Sequence, residues 1–333
     1  MQKRALYFPH VSVPSTPWTT QALLYWDRLA CIVPANLLYR PEQMDPRMQI
    51  LLREGLSEPI IPGEYIYHAV DFDQCFLDFV EERILRRPHR LSPPQRVVTR
   101  VHAEKMGKIP QQLVKMGLAS EAEWGWYEME TYLANQFMSY LASVLGALPG
   151  INATPVTDQT SIASSIGTIH QSLKRLTDNQ LHTFKAKEAA LNALLPIPDF
   201  PFNVDKIIKF KSTHGDLLPA LRTRIESHCA EIAVLPTHEE RLAASEAFLA
   251  ECGGQVREIE EAMRATFPKI VMGALTPLFG AGLPRHASPG AQPSLAGAAY
   301  QAIASIRGPR LAQESRPLAY VVRAQKKFSS GRP

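Results

Sequence analysis

The sequence predicts an α+β protein, with a small mixed sheet and its helices in the N-terminal part and a mostly helical C-terminal half built on a long helical hairpin. Three observations carry this reading. Short alternating or β-branched runs interrupt helical periodicity up to about residue 158, most strand signals then fade, and beyond residue 204 apolar residues recur at helical steps. The chain of 333 residues is 45% hydrophobic and 20% charged, which is enough apolar material for a sizeable core.

The elements follow in order. Ala5-Leu-Tyr-Phe8 predicts a strand running into Pro9-His10. Thr16-Pro17 supplies an N-cap and a proline at the first helical position, so residues 17–30 form an amphipathic helix through Trp18, Ala22, Tyr25 and Leu29. Cys31-Ile-Val33 is a second strand, and a short helix over 46–54 stops at Gly55. Glu64-Tyr-Ile-Tyr67 alternates like a strand. Asp71 or Asp73 caps a helix that carries Phe76, Phe79, Val80 and Ile84 and ends before Pro88. The β-branched run from Arg96 to His102 predicts another strand, and residues 110–116 a short helix with Gly117 at C′. Leu133, Phe137, Leu141, Val144 and Leu148 mark the strongest helix of this part, with the acids of Tyr127-Glu-Met-Glu130 favouring its dipole.

The remainder divides into a helical connection (159–200), the long hairpin (201–270), a Gly/Ala-rich apolar helical segment (271–306) and a basic tail (307–333), after an α/β domain over 1–158. The first hairpin arm spans about 204–235, interrupted by Gly215 and Pro219. The second opens on Thr237-His-Glu-Glu240, a capping box, and carries Leu242, Leu249, Cys252, Val256, Ile259 and Met263 on one seam. Gly253-Gly254 should weaken or kink that arm. The segment 271–306 holds nine alanines and five glycines with Arg285 as its one formal charge, yet its apolar stretches are shorter than the roughly 20 residues a membrane span needs. A hairpin packed inside the protein is the expectation, with no membrane span. The opening residues lack the apolar stretch of a signal peptide, and Cys31, Cys75, Cys229 and Cys252 form no C-x-x-C pair, so a reducing, cytoplasmic setting is expected.

Several blocks look familiar. Tyr7-Phe-Pro-His10, Leu24-Tyr-Trp-Asp27 and Ile32-Val-Pro34 resemble the opening of an uncharacterised bacterial family, a domain of unknown function. The likeness continues through Val101-His-Ala-Glu-Lys-Met106, Gly117-Leu-Ala119, Trp126-Tyr-Glu-Met-Glu130, Pro155-Val-Thr-Asp158 and Phe210-Lys-Ser-Thr-His214 to Pro317-Leu-Ala-Tyr320. The resemblance implies one architecture spanning nearly the whole chain, and it implies no activity, cofactor or partner.

No motif names a reaction. There is no P-loop, G-x-G-x-x-G, G-x-S-x-G or H-E-x-x-H, so the sequence calls for no cofactor and no metal. His102-Ala-Glu104 offers an imidazole and a carboxylate on one strand face, without the C-x-x-C that a zinc deaminase would add. Asp27 on the first helix meets His10 if the first strand packs on that helix. The candidate catalytic set is therefore His10, Asp27, His102 and Glu104, each beside the plainer reading of a satisfied polar pair. Arg83, Arg86, Arg87, Arg90, Arg96 and Arg100 lie in a stretch without an acid and are the candidates for nucleic-acid binding. The reading favoured by the sequence is a protein-interaction or regulatory protein of the bacterial cytoplasm with a protein partner. An enzyme of unfamiliar type and a nucleic-acid-binding component are the alternatives.

Overall fold

A computed structural model describes residues 3–86, 97–159, 162, 178–195, 203–263 and 317–328. The Gly/Ala-rich segment 271–306, Arg87, Arg90 and Arg96, most of the weakly helical stretch 160–177 and the last residues of the tail lie outside them. The chain runs β1 (Arg4–Tyr7), α1 (Pro17–Tyr25), β2 (Arg28–Ile32), α2 (Ala35–Leu38), α3 (Pro46–Arg53), β3 (Ser57–Ile60), α4 (Phe72–Phe79), β4 (Val98–His102) and α5 (Ile109–Lys115). Next come β5 (Ala119–Glu123), β6 (Trp126–Glu130), α6 (Thr131–Ala147) and β7 (Ala153–Val156), then α7 (Asp178–Leu194), α8 (Val204–His214), α9 (Leu218–Val234), α10 (His238–Met263) and α11 (Ala319–Phe328). This is the α+β class expected, with its strands in the N-terminal part.

The chain folds as two compact units, and neither is continuous in sequence. The first comprises Met1–Pro14 with Trp26–Leu176, the second Ser15–Tyr25 with Thr177–Pro333. Instead of one mixed sheet, the first unit has a parallel sheet in the order β3-β2-β1-β7 and a separate antiparallel sheet in the order β4-β6-β5. In the parallel sheet Arg4 stands opposite both Arg28 and Ala153, and Tyr7 opposite both Cys31 and Val156. The two outer strands each contain a proline, Pro59 in β3 and Pro155 in β7. Proline has no N–H for a second neighbour, which suits it to a sheet edge.

That proline also hides β3 from a reading based on alternation. The expected strand at 64–67 is instead a pair of 3-10 turns, Pro62–Glu64 and Ile66–His68, and the sheet takes Ser57–Ile60. Tyr127-Glu-Met-Glu130 precedes the strongest helix as expected, with Glu130 at the N-cap position of α6, but the run is itself a strand. It lies in β6, the central strand of the antiparallel sheet, with Tyr127 and Met129 buried and Glu128 and Glu130 half-buried between them. The helix after Phe72 changes pitch at Val80 and continues as a π-helical turn to Leu85.

Helix α6 is apolar on nearly all sides because it packs against β7 and β1 of one sheet and against β4 and β6 of the other. Its buried Ser139 and Ser143 donate to the carbonyls of Asn135 and Ser139, at 2.8 and 2.7 Å, and so need no outside partner. Phe76 meets Phe137 edge-on at 5.2 Å, and Tyr140 donates to the Phe72 carbonyl at 2.7 Å. At the helix end Gly146 lies so close to β7 that a Cβ would stand 2.4 Å from the Ala153 carbonyl oxygen.

In the second unit the last carbonyls of α1, which the helix cannot satisfy itself, are each taken by a distant side chain. Lys211 donates to Leu23 at 3.0 Å, Tyr320 to Leu24 at 2.6 Å, and Arg222 to Tyr25 through its Nε at 3.1 Å and through Nη2. The expected helix over 17–30 therefore stops at Tyr25, and the chain enters β2 three residues later. The first hairpin arm is interrupted as expected, by a 3-10 turn at Gly215–Leu217, before α9 begins. The capping box of the second arm forms: the Thr237 amide donates to Glu240 Oε2 at 3.1 Å and the Glu240 amide to Thr237 Oγ1 at 3.1 Å. Phe248, Cys252, Val256 and Ile259 are buried, as are Leu218, Leu221, Ile225, Cys229 and Ile232 on α9. Helix α10 runs unbroken through Gly253-Gly254.

Three expectations change here. The most extensive helix partner of α9 is α7, from the stretch expected to be a mere connection. The basic tail contains α11, whose Tyr320, Val321, Ala324 and Phe328 are buried, with Phe210 edge-on to both Tyr320 and Phe328. Its charges occupy one face while the apolar residues join the core. Leu242 and Leu249, expected on the seam, are only half-buried, because Ser245 and Phe248 turn inward instead.

Two substitutions test this packing. Ile259→Asp places a charge at a site with no solvent exposure and is expected to destabilise by several kcal/mol, whereas exposed Glu246→Ala stays within about 0.5 kcal/mol of the parent. Gly146→Ala forces α6 away from β7 and is expected to cost about 1–3 kcal/mol. Thermal melts of the three variants beside the parent measure both, and equal melting of Ile259→Asp and Glu246→Ala would refute the hairpin packing.

Candidate functional site

Parallel strands all end on one side, so the sheet gathers at its carboxyl edge the residues that follow β1, β2, β3 and β7. In open α/β sheets ligands bind outside these carboxyl ends, where the strand order reverses. Here β2 and β3 extend from one side of β1 and β7 lies on the other, so the reversal falls between β1 and β7.

Polar side chains meet at that place. Tyr7, the last residue of β1, donates its hydroxyl to Asp158 Oδ1 at 3.0 Å just past β7. Burial and then the neighbouring Asp158 carboxylate hold the phenol well above its usual range, so it stays a donor. Three residues beyond Tyr7, exposed His10 meets Gln159: its Nε2 is 2.7 Å from Gln159 Nε2. The Gln159 amide donates to Thr157 Oγ1 at 3.1 Å, which fixes the turn that carries Asp158.

Register places Cys31 beside Tyr7 on the same sheet face. Ser57 donates its hydroxyl to the Leu29 carbonyl at 2.7 Å, leaving the thiol to donate to Ser57 Oγ 3.6 Å away. Burial pushes the Cys31 thiol up to about 12, so at neutral pH it is an inert, protonated group. Next to it comes Lys105, on the 3-10 turn that follows β4, with only 6% of its surface exposed. Among the described residues nothing forms a hydrogen bond with its ammonium. Burial pulls it down to about 8, against the smaller opposing pull of Cys31 and Glu104.

Glu104 accepts from the Ala35 amide at 2.9 Å, at the chain segment leaving β2, and Gly63 packs against its stem. The Glu104 amide donates to His102 Nδ1 at 3.4 Å, which puts the ring proton on Nε2. Glu104 Oε2 is 4.0 Å from that same Nδ1. Burial lowers the His102 pKa more than Glu104 raises it, so the imidazole is neutral at pH 7 and this contact is not an ion pair then. Trp126 closes the group, its ring edge-on to His102 at 5.0 Å.

The expected catalytic set does not converge. His102 and Glu104 are together, and His10 is held separately by Gln159. Asp27 lies at the opposite, amino end of the sheet, where its amide donates to the Lys3 carbonyl at 2.9 Å and its Oδ2 accepts from the Lys3 amide at 2.7 Å. The reason is register: Asp27 immediately precedes β2, while His10 follows β1, and the two strands are parallel. Three residues that sequence reasoning passed over, Tyr7, Lys105 and Asp158, occupy the carboxyl edge. A signal existed only for Lys105, a lysine between the apolar Val101 and Met106 beside a His/Glu pair.

The arginine cluster is partly offset by acids distant in sequence. Arg100 is bound by Glu128 at 2.8 Å and Glu123 at 3.1 Å across the antiparallel sheet. Arg83 is half-buried in the π-helical turn, and Arg86 is exposed. Elsewhere in this unit a shallow hollow of about 330 Å³ is lined by Ile66, Tyr67, Asp71, Asp73 and Lys108 among others, with Asp73 taken up by the Lys108 amide at 3.2 Å. Among the described residues no helix is long and apolar enough to cross a membrane, and no group of three or more His, Cys, Asp or Glu side chains could hold a metal ion. Comparison with protein-family models, with curated proteins and with solved structures finds no match for the chain.

A pH dependence follows from Lys105. Its folded-state pKa of about 8 lies below the ordinary 10.5, so the cost of burying the ammonium is full below pH 8 and is relieved between about pH 8 and 10.5. The difference corresponds to a penalty on the order of 3 kcal/mol at neutral pH. Lys105→Met is therefore expected to melt above the parent at pH 7, with the gap closing as pH rises to 10. The thiol of Cys31 acts the other way above pH 9 in both proteins, so the comparison largely cancels it. A gap that stays constant from pH 7 to 10 would show that the ammonium is not desolvated.

Proposed function

We propose that the chain is a binding protein for a small polar molecule, held at the carboxyl edge of the parallel sheet. The observation that carries the proposal is the reversal of strand order between β1 and β7, with Tyr7, His10, Asp158 and Gln159 gathered at that reversal. Two donors and acceptors paired across neighbouring strand ends make a surface that can exchange its internal hydrogen bonds for those of a ligand rich in hydroxyl or amide groups. Asp158 and Gln159 are half-buried and His10 is exposed, so the groups are within reach of solvent.

The docking of a protein partner on the helical arms has less support. The apolar seam that suggested it is buried inside the second unit, from Leu221 and Ile225 on α9 to Val256 and Ile259 on α10. Phosphate binding by the arginine cluster is supported among the described residues only by exposed Arg86 and half-buried Arg83, since Arg100 is already paired with two carboxylates.

The test is ligand-observed NMR on the full chain with a panel of small hydroxylated and amide-bearing compounds. Binding is expected to fall at least tenfold in Asp158→Ala and in His10→Ala, and to persist in Glu246→Ala. Binding that is equal in all three variants, or no binding by any member of the panel, would refute the assignment.

A further inference from the structure

A strand at the edge of a sheet presents a row of amides and carbonyls that the sheet leaves unpaired, and it pairs with any strand that reaches it unless the chain blocks it. Strands β3 and β7 stand at the edges of the parallel sheet, and β4 and β5 at those of the antiparallel one. Pro59 and Pro155 lie in the first two. In β5 the register shifts between Glu121 and Glu123, and a bulge between two charges discourages further pairing. Strand β4 has none of these devices. Its register with β6 is unbroken from Val98 to His102, and Val97 and Val98 at its start are 68% and 53% exposed. Its one permanent charge, Arg100, is already balanced by Glu128 and Glu123.

The hydrogen bonds to β6 show which groups of β4 face outward. The Thr131 amide donates to the Val97 carbonyl at 2.9 Å, and the Ala103 amide to the Gly125 carbonyl at 2.8 Å. Hydrogen-bonded and non-hydrogen-bonded pairs alternate along an antiparallel ladder. Val97, Thr99, Val101 and Ala103 therefore turn their backbone groups toward β6, and Val98 and Arg100 turn theirs away. Among the described residues no strand lies beyond β4, and nothing bonds these outward groups.

We propose that β4 is the contact strand of a homodimer, in which a second copy adds its own β4 antiparallel and the two three-stranded sheets become one. Register decides how the strands meet. A two-fold axis at Arg100 sets two guanidinium groups directly opposite each other, which is destabilising. An axis at Val98 pairs only that one outward residue with its copy. With the axis at Thr99, Val98 exchanges both backbone hydrogen bonds with Arg100 of the second copy, and Arg100 with Val98 of that copy. Val97 then faces Val101, and Thr99 faces Thr99, pairs of the kind that favour strand association.

The charges complement each other in this register. Val98 stands opposite Glu130 on β6, and Glu130 is a half-buried carboxylate with no cation among the described residues. Arg100 of the second copy comes to the other side of Val98, on the same sheet face as Glu130. Two strand spacings, about 10 Å between backbones, separate them, a span that an arginine and a glutamate close over a small valine. Arg100 binds Glu128 through Nε and Glu123 through Nη1, so its Nη2 remains for this contact.

The dimer does not depend on the small-molecule site, which lies on the other sheet. Sedimentation velocity of the full chain from micromolar to millimolar concentration is expected to show a reversible monomer–dimer equilibrium, because one strand ladder covers less surface than a permanent interface. Thr99→Cys places two thiols across a non-hydrogen-bonded pair, where side chains are closest. With oxidised glutathione it is expected to form a disulfide-linked dimer at least tenfold faster than Ser120→Cys on β5, and than the parent with its half-buried Cys75. Val98→Pro removes an outward amide that β6 does not use, and the folded variant is expected to dimerise at least tenfold more weakly. A parent that stays monomeric at millimolar concentration would overturn the inference. So would Thr99→Cys crosslinking no faster than Ser120→Cys, or folded Val98→Pro dimerising as well as the parent, since either result moves the contact off β4.

Discussion

The pairing of β1 with two parallel neighbours is the constraint on which the rest of the first unit depends. Arg4–Tyr7 lies between β2 and β7, and Ala5, Leu6 and Tyr7 are fully buried by that position. Parallel strands cannot be joined by a tight turn, so each pairing requires the chain to travel back along the molecule. For β1 and β2 the return is made through α1, a helix that belongs by its packing to the second unit. For β7 it is made through the whole antiparallel sheet and α6. Because every strand of this sheet ends on the same side, its chemistry collects at one edge.

The same edge explains why buried polar groups are tolerated here. Tyr7 and Asp158 satisfy each other, Ser57 takes both the Leu29 carbonyl and the Cys31 thiol, and Glu104 is bound by the Ala35 amide. Lys105 is the exception, and its lowered pKa is the electrostatic record of that. At the amino end the charges are handled differently. Arg4 and Arg28 share Glu58 at 3.1 and 3.7 Å, in a partly exposed arrangement that contributes little beyond orientation.

The second unit is organised by the carbonyl end of α1. Lys211, Arg222 and Tyr320 come from three different helices, and each spends its polar group on one of three consecutive carbonyls. This arrangement gathers α8, α9 and α11 around α1. It also accounts for Arg222, a cation with only 8% of its surface exposed, which is stabilised at a helix C-terminus where partial negative charge accumulates.

The sequence by itself determined what depends on neighbours along the chain. The capping box at Thr237 and Glu240, the interruption at Gly215 and Pro219, Gly117 at its C′ position with φ of 70°, and the strand before Pro9 were all legible, because each is a local hydrogen-bonding or steric rule. Periodicity also marked α6 and the buried seam of α10. It failed at β3, where Pro59 removes the alternation, and in α11, where Arg323, Lys326 and Lys327 on one face masked an apolar stripe that another helix was needed to bury. The candidate site was legible only as the local pair His102 and Glu104. The tertiary structure decided that Asp27 and His10 stand at opposite ends of a sheet, that Arg100 is neutralised from across a hairpin, and that Tyr7, Cys31, Lys105 and Asp158 are neighbours. The physical reason is that parallel register brings together strand ends separated by more than a hundred residues. No spacing in the sequence encodes which of them will share an edge.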